Sequence, residues 1–99
     1  MEVTKEMIAE WKKEGPVFKT KIDGNDYYFT TLDRVKYLDI STKGTANPDE
    51  FDFELETVVV CLLSDVSREF LKSRSGIVTI LSDQIMLKSG FQQAEIEEL

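Results

Sequence analysis

The densest group of side chains that could carry chemistry is a run of five carboxylates: Asp49, Glu50, Asp52, Glu54 and Glu56. Acid–base catalysis needs carboxylates held in a dry pocket with well-separated pKa values. These five alternate with apolar residues at the predicted start of a helix, so most of them should face water. We interpret them as stabilising the positive end of the helix dipole and as favouring solubility.

The residue types give little support for a metal-binding site or for a catalytic nucleophile. Asp52 and Glu56, four positions apart, could hold a hard cation weakly, but nothing completes the shell, and the acidic turn at 23–26 has too few ligands for calcium. The chain has no histidine, which removes the commonest general base and metal ligand. Its single cysteine, Cys61, lies in an apolar run and is expected to be a small core residue. We therefore expect no enzyme: no catalytic residue, no metal and no cofactor.

The charge is strongly acidic and unevenly distributed. The chain has 99 residues and a net charge of −7. Residues 1–46 hold eight basic and eight acidic side chains, whereas 47–99 hold four basic and eleven acidic ones, so the whole excess lies in the second half. A surface of this sign repels phosphate backbones and anionic lipids, so we expect no nucleic-acid partner and no membrane partner. A basic protein partner is compatible with it.

Length and hydropathy indicate one small domain. A hydrophobic fraction of 41% can build a core in a chain of this size. No apolar run is long enough to span a bilayer, and the first residues lack the pattern of a signal peptide, so we expect a cytoplasmic protein. We predict a globular domain at 1–91 and an acidic, flexible tail at 92–99, in a monomer or small oligomer. A docking peptide marked by Phe91, Ile96 and Leu99 is the alternative for the tail.

The elements are organised around the stretch from 51 to 66. Its apolar residues recur with helical spacing: Phe51, Leu55, Val58, Val59, Leu62, Leu63 and Val66. Asn47 is positioned to cap a helix and Pro48 to begin it, with an end near 64–65. The β-branched run 58–60 would also suit a buried strand, but length and capping favour the helix.

The other segments complete an α+β pattern. Thr4 is expected to cap a first helix, and 17–30 reads as a β-hairpin whose turn is centred on either Asp23-Gly24 or Gly24-Asn25. Thr31 should cap a second helix over 32–41 that points Leu32, Val35 and Leu38 inward, with Tyr37 as a further candidate. A loop should follow over 42–46. A short helical turn is predicted at 67–72.

A last helix, capped by Ser75, should bury Ile77, Ile80, Leu81 and Ile85 and end in a Schellman motif at Gly90-Phe91. The fold class is therefore a mainly helical small α+β domain. It has four helices, one short helical turn and one antiparallel hairpin near the N-terminus.

Four segments together resemble a group of small tailed-bacteriophage proteins, the tail assembly chaperones. The first is an opening helix with Ile8 and Trp11-Lys12, followed by Gly15 and Val17-Phe18. The second is a hairpin ending Asp26-Tyr27-Tyr28-Phe29, followed by Leu32, Arg34 and Tyr37. The third is an acidic helix that runs into 59–63, and the fourth is Gly76-Ile77 with Leu81, Ile85 and 89–91. The chain departs from the group's usual Arg at Thr30 or Thr31 and from its usual Pro at 64–65.

This resemblance implies a non-enzymatic factor of virion morphogenesis. Such a protein would bind the tape-measure protein or unassembled tail protein in the host cytoplasm. We expect its binding groove between the last helix and the hairpin, lined by Tyr28, Ile77, Leu81, Met86 and Phe91, although each of these could instead be a core residue. The alternatives are a structural tail or baseplate component retained in the virion, and a small acidic phage inhibitor of a host defence protein.

Overall fold

The structure is a computed structural model that describes residues 2–91 and 97–99. Within these residues the chain forms five helices and one two-stranded antiparallel hairpin. In chain order they are α1 (Lys5–Lys12), β1 (Phe18–Ile22), β2 (Asn25–Phe29), α2 (Arg34–Ala46), α3 (Phe53–Cys61), α4 (Arg68–Ser73) and α5 (Ser75–Lys88). The six-residue α4 is the predicted helical turn. The predicted α+β class, with its hairpin near the N-terminus, is confirmed.

The hairpin turn is centred on Asp23 and Gly24. Ile22 pairs with Asn25, which leaves these two residues as the loop. Both have positive φ, 51° and 80°, as a type I′ turn requires. This turn follows the right-handed twist of the strands and fixes the register.

The two faces of the hairpin meet different parts of the protein. The inner face carries Phe18, Ile22, Tyr27 and Phe29, which pack against the helical core. Tyr28 lies on the outer face, where the Trp11 ring of α1 stands 5.8 Å from its ring centroid. Thr4 caps α1, accepting a hydrogen bond from the N–H of Met7 at 3.2 Å.

The central segment is helical, as its apolar spacing predicts, but α3 is shorter than expected. Asp52 caps it, accepting from the N–H of Leu55 at 3.1 Å, and the predicted cap Asn47 is instead the C-terminal cap of α2. The helix ends at Cys61 because Leu62 turns into extended backbone with ψ of 124°.

The extended segment after α3 borders β2 in the manner of a third strand. The N–H of Thr30 donates to the carbonyl of Cys61 at 2.9 Å, and the N–H of Leu63 donates to the carbonyl of Tyr28 at 2.8 Å. The N–H of Tyr28 donates to Ser64 Oγ at 2.9 Å. β2 is therefore covered on both sides.

The predictions for α2 were wrong in its bounds and partly wrong in its inner face, since Leu32 is buried and Tyr37 packs against the core as predicted. Asp33 caps it, and the helix continues through the predicted loop at 42–46. Val35 and Leu38 are 77% and 48% exposed, whereas Ile40 is buried. Gly44 faces the core side, because a Cβ there would lie 3.0 Å from the Phe51 ring. Val35 lies about 160° around the helix from Tyr37 and so points to solvent.

In α5 the predicted stripe is partly wrong. Ser75 is its first residue rather than its cap, and Ile80 is 42% exposed. Val78 and Ser82 take inner positions instead, and with Leu81 and Ile85 they form the buried face of the helix, which packs against α3. The Schellman ending is confirmed. Gly90 has φ of 90°, its N–H donates to the Leu87 carbonyl at 3.2 Å, and the N–H of Phe91 donates to the Met86 carbonyl at 3.0 Å.

One continuous core joins the hairpin to the helices. Its buried apolar members are Ile22, Tyr27, Phe29, Leu32, Ile40, Leu55, Val58, Cys61, Leu71, Val78, Leu81 and Ile85.

None of the described helices combines the length and the apolar character needed to cross a membrane. Residues 97–99 are exposed, and the rest of the predicted flexible tail lies outside the described residues.

Candidate partner-binding surface

The five residues predicted to line one groove are placed on different surfaces. Leu81 is fully buried and belongs to the core. Tyr28 is on the outer face of the hairpin against Trp11, on the opposite side of the sheet from the inner residues that pack on the helices. These two side chains therefore do not meet in a groove between the hairpin and α5.

The remaining three residues belong to the last helix and its end. Ile77 and Met86 are half-buried and flank the core. They are nine positions apart, which places them about 180° from each other around the helix axis. Phe91 is 42% exposed, and its ring centroid lies 5.3 Å from that of Tyr37 in α2. Of the five, Phe91 presents the most apolar surface to a partner.

The structure reveals a different apolar surface, which we call the α5 strip: Ile80, Leu87 and Phe91. Ile80 and Leu87 are seven positions apart, two helical turns on one side, and Phe91 follows the helix end. The exposed fraction of Leu87 is 55%. The sequence pattern missed this strip because apolar residues occur all around α5, so periodicity alone could not tell the inner side from the outer.

Beside Leu87 lies an open depression of about 370 Å³ between β1 and α5, the β1–α5 groove. It is lined by Phe18, Lys19, Thr20, Phe29, Gln84, Leu87 and Lys88. Lys88 Nζ stands 5.5 Å from the centroid of the Phe18 ring, a cation–π contact. No carboxylate is among the described residues of its lining. The lining therefore combines apolar side chains with two lysines.

A third apolar area is on α2. Val35 and Leu38, three positions apart, are both exposed on this helix. An open cleft of about 350 Å³ separates the start of α2 from the end of α5, and Tyr37 and Phe91 are in its lining. The Arg34 guanidinium stands 5.4 Å from the Tyr37 ring. The cleft is shallow and mixed in polarity, unlike the α5 strip.

The acidic cluster is engaged in structural contacts. Asp52 caps α3, Glu56 forms a salt bridge with Arg68, and Glu54 accepts a hydrogen bond from Thr79 Oγ1 at 3.3 Å. The hydrogen bond with Glu56 is the main cause that raises the pKa of the Arg68 guanidinium. These carboxylates thus tie α3 to α4 and α5. Across residues 2–91 and 97–99, no three potential ligands stand together as a metal site.

Cys61 is fully buried, as expected from its neighbours in sequence. Burial raises the pKa of its thiol to about 11, an effect that the nearby Lys36 partly offsets. The thiolate, which is the nucleophile, is therefore scarce at neutral pH. An open depression of about 610 Å³ has Asp26, Asp65 and Phe70 in its lining.

The arrangement is suited to burying an apolar segment of another chain along α5. Comparisons with protein-family models, with curated proteins and with solved structures found no match to this chain.

Proposed function

We propose that this chain is a non-enzymatic chaperone of phage tail assembly, which holds an apolar segment of the tape-measure protein or of an unassembled tail protein. The observation that carries the proposal is the α5 strip, where Ile80, Leu87 and Phe91 are each at least 42% exposed. Exposed apolar surface of this kind commonly marks a protein-interaction site. The resemblance to tail assembly chaperones supports the choice of partner.

The occupant that suits the α5 strip is an amphipathic helix. A helix presents apolar residues with the same seven-residue spacing that separates Ile80 from Leu87, so the two can pack side by side. The net charge of −7 would keep such a complex soluble. The host cytoplasm is the compartment where this binding would take place.

Co-expression tests this proposal directly. The chain is produced together with the tape-measure protein or the tail protein of the same phage, and the soluble fraction of that partner is measured. We expect the chain to raise this fraction and the double variant Ile80→Asp/Leu87→Asp to abolish the effect. The matched control is Val35→Asp/Leu38→Asp, which changes two exposed apolar residues on α2 and should retain it.

Mass spectrometry of purified particles separates a chaperone from a virion component. A chaperone should be absent from finished particles but recoverable from lysates in a complex with the tape-measure or tail protein. Equal effects of the two double variants, or a stoichiometric amount of the chain in the virion, would contradict the proposal.

A further inference from the structure

The outer edge of β1 carries unpaired backbone groups. Among residues 2–91 and 97–99, β1 pairs with β2 alone, on one side. Tyr28 directs its N–H and C=O away from β1, toward Ser64 and Leu63. Lys19, which stands opposite Tyr28, must likewise turn its own N–H and C=O away from β2, and the alternation of an antiparallel pair gives Lys21 the same orientation.

Depressions on both sides of this edge are lined by apolar side chains together with lysines. On the inner flank is the β1–α5 groove. On the outer flank is a depression of about 240 Å³, lined by Ile8, Lys12, Val17, Phe18, Lys19 and Tyr28. Among the described residues that line the two, lysines are the charged ones. The edge therefore combines open hydrogen-bonding groups with apolar surface on each side.

The charge beside β1 is opposite in sign to that of the whole protein. Two lysines, Lys19 and Lys21, are on the strand itself, and Lys12 and Lys88 line the depressions beside it. The chain as a whole carries 19 acidic and 12 basic side chains. The carboxylate that pairs across the hairpin here is Asp26, opposite Lys21. Lysines on an edge strand discourage pairing with a neutral or basic strand. An acidic strand would instead find complementary charges.

We propose that β1 is a docking edge for an extended segment of a partner protein in which acidic residues alternate with apolar ones. The segment adds as a strand beside β1, bonding to the outward N–H and C=O groups of Lys19 and Lys21. Its acidic side chains lie on the face of these two lysines, and its apolar side chains lie on the face of Phe18 and Leu87. The edge adjoins the α5 strip at Leu87. The inference is argued from the backbone and the lysines of β1, so it does not depend on the chaperone proposal.

The test uses a short capped peptide in which Glu and Val alternate. Binding is measured by titration calorimetry on the full chain, and strand addition is detected by NMR hydrogen exchange of the Lys19 and Lys21 amides. We expect saturating peptide to slow exchange of these two amides by at least about tenfold, because they gain hydrogen bonds. A peptide with Lys in place of Glu should not bind.

Variants separate charge from backbone pairing. Lys19→Glu/Lys21→Glu should weaken binding by at least about tenfold, whereas Lys72→Glu, an exposed lysine on α4, should leave it unchanged. Lys19→Pro removes an outward N–H without removing a β1–β2 hydrogen bond, and it should also abolish binding. Circular dichroism checks that each variant is folded.

Three results would overturn the inference: binding with unchanged exchange at Lys19 and Lys21, binding retained after charge reversal, or equal binding of polyglutamate without apolar residues. If Lys19→Pro fails to fold, the exchange measurement on the unmodified chain still decides. Failure here leaves the Ile80→Asp/Leu87→Asp co-expression result unaffected, because the lysine variants leave the α5 strip unchanged.

Discussion

The backbone N–H of Leu63 donates to the carbonyl oxygen of Tyr28 across 2.8 Å. This bond joins the end of the central helix to the hairpin and covers the side of β2 that faces away from β1. Among the described residues, this leaves β1 as the uncovered edge of the sheet. The proposed docking edge is therefore on the side of the hairpin away from this junction.

Replacing Ser64 with alanine tests this junction. The change leaves the half-buried N–H of Tyr28 without the acceptor that Ser64 Oγ provides at 2.9 Å. We expect a loss of about 1–3 kcal/mol in the free energy of unfolding, measured by urea denaturation. Thr42→Ala is the matched control, because its exposed hydroxyl bonds only to the carbonyl of Leu38 within α2. Equal effects of the two changes would show that the junction contributes little.

A pair of glycine substitutions tests the packing of α2. Gly76→Ala, with no atom near the added Cβ, should stabilise by up to about 1 kcal/mol through helix propensity. Gly44→Ala should stabilise the protein less than Gly76→Ala does, because the added Cβ would lie 3.0 Å from the Phe51 ring. In a Phe51→Leu background the Gly44→Ala gain should recover. Equal gains at both glycines in the unmodified chain would mean that Phe51 does not pack on Gly44.

Thr57 offers a stabilising substitution. It is fully buried in α3, and among the described residues its hydroxyl has no hydrogen-bond partner. Valine keeps the shape and removes the unsatisfied hydroxyl, so Thr57→Val should raise the free energy of unfolding by about 1 kcal/mol. The control Thr45→Val, at an exposed hydroxyl of α2, should stay within about 0.5 kcal/mol. A marked destabilisation by Thr57→Val would reveal a hydrogen bond that this hydroxyl makes.

The buried thiol of Cys61 should make stability depend on alkaline pH. Burial raises its pKa from 9.0 to about 11, so the unfolded chain releases this proton first. The stability that the protonated, buried thiol contributes to the folded state is therefore fully present below pH 9, and it declines as pH rises toward 11. Urea denaturation between neutral pH and this range should give a steeper fall for the unmodified chain than for Cys61→Ala. Parallel curves would show that the thiol has the same pKa in both states.

Local patterns accounted for the parts of the fold that depend on neighbours in sequence. The apolar spacing around Val58 is helical, and the Asp23-Gly24 turn supports positive φ, so α3 and the hairpin could be predicted. The Gly90-Phe91 ending was predictable for the same reason. Each of these depends on interactions within a few residues.

The inner faces of α2 and α5 required knowledge of their packing partners. α2 offers apolar side chains on both sides, and its inner face is fixed by Gly44, which accommodates a ring from seven residues further along. α5 is apolar nearly all around, so Ile80 and Val78 were equally plausible core residues. The weak apolar periodicity of both helices limited these predictions, because the inner face was then set by packing partners distant in sequence.

The candidate surfaces were hidden from the sequence for a related reason. The exposure of Leu87 follows from where α3 lies against α5, and the open edge of β1 follows from the pairing of 62–64 with β2. Neither has a local signal. The lysines at 19 and 21 were visible as the polar half of a strand, but nothing near them indicated an unpaired edge.

The pairing of the segment at 62–64 with β2 also has a consequence for synthesis on the ribosome. Tyr28 and Ser64 are 36 residues apart, so the hairpin emerges from the exit tunnel well before the segment that will cover it. At translation rates of about 5–20 residues per second, the β2 side of the nascent hairpin stays uncovered for roughly 2–7 seconds. During that interval both edges of the hairpin are open to strands of neighbouring nascent chains, and lysines are present on the β1 edge alone.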